Sequence, residues 1–332
     1  HTTTIIDVTQ IGKDATFTNP TGGSELLNDR PSLVLRGVVT PSAGAPFPIT
    51  VIANHLRSLN DVDDALAGPR VRAKRKAQAE FLAAFIEARQ QADPTERIVL
   101  VGDFNAFEFS DGLVDVVGTI TGRPAPPHTV VTPTVDLVTR DLVNLVEWVP
   151  PAERYSYVFE GNAQVLDHAI ITQNLSRYVS RVNFSRSNAD QPETVRNAAT
   201  SPARLSDHDG IVVAFATGTP RIVSQVVGRG PNASTVDVRL TNSGTGNAFN
   251  VVVDGTTFRT LLGSGTVTRT GPLPAAIPVL GPGQSVTVRY SLGVPSSVQR
   301  FVLTQTGTYQ SAEGTGFRFS GSVVVVNTVV PQ

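Results

Sequence analysis

The character of the chain changes near Pro220, and that change sets what it can fold into. Beyond it Gly, Thr, Ser and Val dominate, and no helical period occurs over roughly 110 residues. Strand-like runs recur at 222–227, 235–240, 249–253, 286–292, 300–305 and 317–326. Turn signals such as Asn242-Ser243-Gly244 and Gly281-Pro282-Gly283 separate them. Val236, Val238 and Leu240 alternate with Asp237 and Arg239, the pattern of a strand buried on one face. Short strands at this spacing predict an all-β, immunoglobulin-like sandwich over 218–332. A chain of 332 residues has room for this and a further domain.

Before Pro220, strands and helix mix. Apolar runs at 33–35, 49–56, 98–101, 165–172 and 211–215 read as strands, as does the β-branched run at 3–8. Gly68-Pro69 is a fitting helix start, because proline in the first turn sacrifices no hydrogen bond. Ala77, Phe81 and Phe85, with Leu82 and Ile86 beside them, predict a buried stripe on that helix. Arg70, Arg72, Lys74, Arg75 and Lys76 crowd its first turns and read as a solvated face. Strand, helix and strand between 48 and 104 predict an α/β or layered α+β domain over 1–217.

The totals exclude several classes. With 40% hydrophobic and 17% charged residues the chain reads as globular. A net charge of −1 rules out a generally basic coat, so contact with a polyanion has to be local or metal-assisted. Residues 218–332 hold eight arginines against three acids, net +5, which leaves 19 basic and 25 acidic residues, net −6, in 1–217. That excess reads as an ordinary solvated surface, with weak docking on a polyanion as the alternative. The absence of Cys excludes disulfides, thiolate chemistry and Cys-ligated zinc, and leaves the compartment open. No apolar run approaches the ~20 residues of a membrane span, and no leader of signal-peptide type is read. The strand under way from Thr3, in a chain without Met, reads as one that starts inside a domain.

Four segments place Asp, Asn or His beside a strand: Ala53-Asn54-His55-Leu56-Arg57-Ser58, Val101-Gly102-Asp103-Phe104-Asn105-Ala106, Val165-Leu166-Asp167-His168-Ala169-Ile170 and Leu205-Ser206-Asp207-His208-Asp209-Gly210. Polar strand ends collect at one rim of a sheet. Asp103, Asn105 and Asp207 offer the oxygens that Mg²⁺ and Mn²⁺ prefer. An imidazole titrates near neutral pH and can deprotonate water, and a buried carboxylate can orient it; Asp167 and His208 are candidates for that pair. His55 and Asn105 can meet charge building on a phosphate. Singly, each segment has a plainer reading: Asn-His as a turn, Asp-x-Asn as a turn bonding its own backbone, His168 as a core or rim histidine.

Together and in this order, the segments resemble the endonuclease/exonuclease/phosphatase superfamily. Its members show a strand ending in His-Leu-x-Ser, then Gly-Asp-(Phe/Leu)-Asn, Asp-His-(Ile/Leu) and Ser-Asp-His. The resemblance spans roughly residues 1–217. The stretch from Ile5 through Asn28-Asp29-Arg30-Pro31, and Tyr155-Ser156-Tyr157-Val158-Phe159-Glu160-Gly161, are similar to large secreted bacterial nucleases of this group, some with trailing β-modules. The resemblance implies a four-layer αββα sandwich. It implies His208 as the base, Asp167 as its orienting partner, Asp103 and Asp207 at the metal, and Asn105 on phosphate. His55 would contact phosphate or assist the leaving group, and Asn54, Arg57 and His168 would contact substrate. The implied cofactor is Mg²⁺ or Mn²⁺, with Ca²⁺ a further option. The implied substrate is DNA or RNA, the setting extracellular and bacterial, with no obligate protein partner. Other members of the superfamily cleave sphingomyelin-like lipids and small phosphate esters.

Two departures stand out. The family's N-terminal half, with an early Asn and the main metal-binding Glu, has no counterpart before Asn54; the earlier Glu25 sits in a Gly/Ser/Asn-rich loop. The chain is therefore expected to bind metal weakly and to leave one sheet uncovered, and an inactive fragment with a surface- or polymer-binding β-module is the competing reading. Gly210 also stands where Pro is common after Ser-Asp-His-x.

Overall fold

The computed structural model describes residues 2–41, 45–196 and 198–327. The chain divides into two compact units, the first of residues 1–40 and 46–214 and the second of 215–332 with the short stretch 41–45. In the first, β1 (Thr2–Ile11), β2 (Thr16–Thr18), β3 (Ser24–Leu26), β4 (Ser32–Thr40) and β5 (Phe47–His55) precede a long helix, α1 (Gly68–Ala92). There follow β6 (Ile98–Asp103), α2 (Val116–Thr121), β7 (Val143–Asn144), β8 (Tyr157–Phe159), β9 (Asn162–Gln164), β10 (Asp167–Ile171), β11 (Val179–Phe184) and β12 (Ile211–Phe215).

Six strands form one sheet in the order β1-β4-β5-β6-β10-β7. β5 and β6 run parallel, which requires a crossover, and α1 supplies it. The other pairs are antiparallel. Val34, Ile52, Leu100 and Ile170 face the helices and pack against Leu82 and Ile86 of α1 and Val117 and Ile120 of α2. The side chains of α1 that are buried include Val71, Arg75, Ala79, Leu82 and Ile86. Phe81 and Phe85 lie at the margin, only partly buried. The stripe is thus rotated from the Ala77-Phe81-Phe85 line that apolar residues alone predicted. Lys74, Arg75 and Gln78 are 4%, 1% and 2% exposed, so the expected solvated basic face is corrected at its centre: polar groups occupy core-facing positions there.

On the opposite face Ile5, Val8 and Leu33 are exposed. Strands β11 and β12 pair separately, and Phe184, Val182 and Ile211 from them pack with Val146, Val149 and Val165. Among the described residues α1 and α2 are the α-helices of this unit. What is present is therefore a helical layer, the six-stranded sheet, and the small two-stranded pairs β2–β3, β8–β9 and β11–β12.

The second unit holds β13 (Ile222–Arg229), β14 (Thr235–Asn242), β15 (Ala248–Gly263), β16 (Thr268–Arg269), β17 (Ile277–Leu280), β18 (Ser285–Gly293), β19 (Val298–Gln310) and β20 (Gly316–Val326). They form two four-stranded sheets, β13-β14-β18-β16 and β17-β15-β19-β20. Val236, Val238, Leu240, Tyr290, Val251, Phe301, Leu303 and Val325 from both sheets share one buried cluster, the arrangement of a β-sandwich. Asp237, on the outer face between those valines, bonds Arg289 at 2.7 Å. All six anticipated runs are strands. β15 continues well past Val253, through Thr- and Gly-rich text, with several register shifts against β19.

Candidate active site

Strand register builds the centre of the site. His55 on β5 lies opposite Asp103 on β6, and Asp103 lies opposite Asp167 on β10. Side chains alternate along a strand, so these three stand in one row on the face away from the helices. The adjacent row, Asn54, Gly102 and His168, faces the helices. Gly102 has φ +124°, and a Cβ there would lie 2.1 Å from the Asn54 carbonyl oxygen. Only glycine lets β5 and β6 approach at this point. The chain then turns through Asn105 at φ 48°. Its N–H donates to Asp103 Oδ1 at 2.7 Å, and its Nδ2 donates to Asp103 Oδ2 at 2.9 Å and to the Leu56 carbonyl at 3.1 Å.

His208 comes from the loop before β12. Its Nδ1 donates to Asp167 Oδ2 at 2.6 Å, which leaves Nε2 as the basic nitrogen. Burial works against its protonated form, but the bond to Asp167 and the charges of Asp167, Asp103 and Asp207 outweigh it and raise the pKa above the usual imidazole value. Asp103 is also raised, first by burial and then by the facing Asp167, against the pull of the Asn105 N–H. Arg30 donates to His55 Nε2 at 2.9 Å, and that nitrogen lies 3.4 Å from Asp103 Oδ2.

The loop is fixed by residues the motif reading passed over. Asp209 is fully buried and accepts from the N–H groups of Ser187, Asn188 and Ala189 at 3.1, 2.9 and 3.2 Å. Its own N–H donates to the Ser156 carbonyl, and the Ser156 hydroxyl accepts from the N–H groups of Leu166 and Asp167. Asn188 Nδ2 donates to the His208 carbonyl at 2.9 Å. Ser156 and Asp209 therefore bring Asp167 and His208 together. The one signal they leave in the sequence is a small polar residue and an extra acid beside the motifs.

α1 serves the site as well. Gln78 Oε1 accepts from the Arg57 N–H at 2.9 Å, and Arg75 Nη1 donates to the Arg57 carbonyl at 2.6 Å, so both ends of that residue are held. Gln78 Nε2 donates to the Leu27 carbonyl and Asn28 Oδ1, and Lys74 bonds Asp29 at 2.8 Å. Burial lowers the Arg75 pKa to about 10, where the group is still charged at neutral pH.

Asp29, Arg30, His55, Arg57, Asp103, Asn105, Tyr157, Phe159, Asp167, Asp207 and His208 line one cleft of about 1040 Å³. It brings together the sequence-derived residues His55, Arg57, Asp103, Asn105, Asp167, Asp207 and His208. Two expected substrate contacts are corrected. His168 is fully buried; its Nε2 donates to the Ala106 carbonyl at 2.8 Å and its Nδ1 accepts from Asn144. Burial pushes its pKa down to about 4. Asn54 is 6% exposed and bonds Ser32 Oγ and the Ile52 carbonyl. One residue of strand separates each from the cleft row and turns it to the other face. Glu25 pairs with Arg70 and Asn19, away from the cleft lining.

Asp103, Asp167 and His208 bring potential ligand atoms within 4.8 Å of one another; Asp207 lines the cleft outside that group. Two carboxylates crowded in a half-buried cleft, one with a raised pKa, fit a divalent cation.

No protein-family model and no curated protein matches the chain. Solved structures do show a likeness. Truncated Caenorhabditis elegans TDP2 is 13% identical, with 64% of this chain and 66% of that chain covered and a TM-score of 0.37. An AP endonuclease from Archaeoglobus fulgidus is 13% identical, with 64% and 71% covered and a TM-score of 0.35. An endonuclease/exonuclease/phosphatase family protein from Bacteroides thetaiotaomicron is 13% identical, with 64% of each chain covered and a TM-score of 0.36. The chain spans 66% of the truncated TDP2 and 51% of another TDP2 chain. Likenesses this distant leave the functional reading to the site itself. Among the described residues no helix is long and apolar enough to cross a membrane.

Proposed function

We propose that residues 1–217 hydrolyse phosphodiester bonds with a divalent cation, as part of a four-layer αββα nuclease acting on DNA or RNA, and that 218–332 form an immunoglobulin-like module. The observation that carries this reading is the 2.6 Å bond from His208 Nδ1 to Asp167, beside Asp103 in one open cleft. With Nδ1–H held by Asp167, His208 Nε2 takes the proton of the attacking water. Asp167 keeps the ring oriented and stabilises the imidazolium that forms. Asp103 is the principal cation ligand, with Asp207 at the rim. Mg²⁺ or Mn²⁺ held there supplies Lewis-acid charge to the phosphoryl oxygens. Asn105 steadies Asp103 and, with His55 and Arg57, meets the phosphate. An extracellular bacterial setting is read from the resemblance of 5–31 and 155–161 to secreted nucleases, with slight support from the Thr/Ser/Gly-rich β-module.

His208→Ala is expected to lower turnover by roughly 10²–10⁴-fold while the unfolding midpoint holds. Asp103→Ala should raise the Mg²⁺ concentration needed for half-maximal rate as well as lower the rate. Assays on DNA, RNA, sphingomyelin and inositol phosphates, each with and without chelator, test the substrate and the cation together. Cleavage that survives chelation sinks the metal role, and unchanged turnover in His208→Ala sinks the base.

A further inference from the structure

We propose that the β8–β9 hairpin carries a nucleobase-stacking subsite with Phe159 as its platform. The inference rests on the phosphodiesterase reading above and names the part of the substrate that the cleft recognises. In this hairpin Tyr157 pairs with Gln164 and Phe159 with Asn162. Glu160 and Gly161, at φ 50° and 82°, close a tight turn between them. Tyr157 and Phe159 are two residues apart on one strand and so share a face. Both line the cleft, together with Gln164.

Their rings stack, 6.4 Å between centroids at 20°, and the Tyr157 ring lies 4.6 Å from that of His208 at 30°. Tyr157 thus links the proposed base, whose ring it meets at a tilt, to the stacked ring of Phe159. Packing accounts for Tyr157, which has two ring neighbours. It does not account for Phe159, which is 51% exposed on a hairpin with three residues per strand. A phenyl group held half in water at the end of a stack forfeits hydrophobic stabilisation that a further flat aromatic solute would restore. A phosphodiester placed at His208, Asp167 and Asp103 has such a solute one sugar away when it joins nucleotides. Acyl chains and inositol rings have no π-face to offer. Stacking on a protein ring needs a base freed from its own neighbours, as in a single strand or an extruded nucleotide.

The test is binding without cleavage. Short single-stranded oligonucleotides carrying 2-aminopurine are titrated in chelator, with fluorescence quenching as the signal of stacking and an oligonucleotide abasic at that position as competitor. The wild-type chain should quench the probe and bind the abasic strand about tenfold more weakly, on the scale of a single base–aromatic stack. Phe159→Ala and Phe159→Leu should erase both the quench and the difference, since leucine restores bulk without a π-face; Phe159→Trp should keep both. Equal affinity of wild type for the two strands overturns the proposal, and so does a difference that survives in Phe159→Ala. Thermal unfolding of each variant checks the fold. Because nothing is cleaved, this result stands apart from the turnover assays on His208→Ala, and failure of the subsite is told apart from failure of the hydrolytic reading.

Discussion

At the scale of single residues, two positions next to the cleft row carry constraints that catalysis does not touch. Gly102→Ala would place a methyl 2.1 Å from the Asn54 carbonyl oxygen, at a φ of +124° that L residues rarely adopt. The two strands would have to part, and the expected loss is about 3 kcal/mol or more in denaturant unfolding, with turnover falling alongside. His168 makes a separate prediction. Its folded pKa, near 4, lies below the unfolded value of 6.5, so protons bind preferentially to the unfolded chain. Its contribution to stability is complete above pH 6.5 and is lost as the pH falls from there towards 4, by roughly 3 kcal/mol in all. Unfolding curves in chelator across that range should fall steeply for wild type and less steeply for His168→Gln.

At the scale of elements, α1 does two jobs with one helix face. Leu82 and Ile86 fill the core, and Lys74, Arg75 and Gln78 reach the loops that border the cleft. Nε and Nη2 of Arg75 have no hydrogen-bond partner among the described residues. The ion pair of Nη2 with Asp111, at 4.0 Å, is long, and Asp111 keeps the N–H groups of Leu113 and Val114 as donors. A buried charge so loosely matched is costly, and Arg75→Met should leave the unfolding midpoint unchanged or raise it. The same change frees the Arg57 carbonyl, so kcat/KM should fall severalfold; a parallel loss of stability would show that Arg75 serves the core alone. This helix also marks where sequence reading ran out. Its start at Gly68-Pro69 was legible from a local signal. The direction of its polar face was not, because hydropathy gives no account of a lysine or arginine that is buried to bond a loop 18 to 45 residues away. The strands at 49–56 and 98–101 were legible for the opposite reason: their β-branched, apolar text agrees with their burial. Of the site, His55, Asp103, Asp167 and His208 could be picked out by residue type beside strand ends. Ser156 and Asp209 could not, since most of their partners are backbone amides that no side-chain pattern reveals. His168 and Asn54 were misplaced because a motif lists neighbours in order, whereas a strand sends neighbours to opposite faces.

At the scale of the whole molecule, each of the two units has its own main core among the described residues, helices on a sheet in the first and two facing sheets in the second. A chain of residues 216–332 should fold without the rest, giving a cooperative thermal transition and a β-type circular dichroism spectrum; a non-cooperative melt would show that this core depends on the first unit. The first unit has a further property that follows from its strand register. The cleft row and the helix-facing row differ by one position on each of β5, β6 and β10, so the site has a parity. Deleting a single residue ahead of Asp103 within β6 would send its carboxylate into the oily side and turn the position of Gly102 outwards. Deleting two would restore the facing but displace the acid by about 6.6 Å along the strand, out of line with His55 and Asp167. Length changes in these three strands are thus closed to such a protein as it diverges, and variation in the cleft is confined to substitution and to the loops at the strand ends.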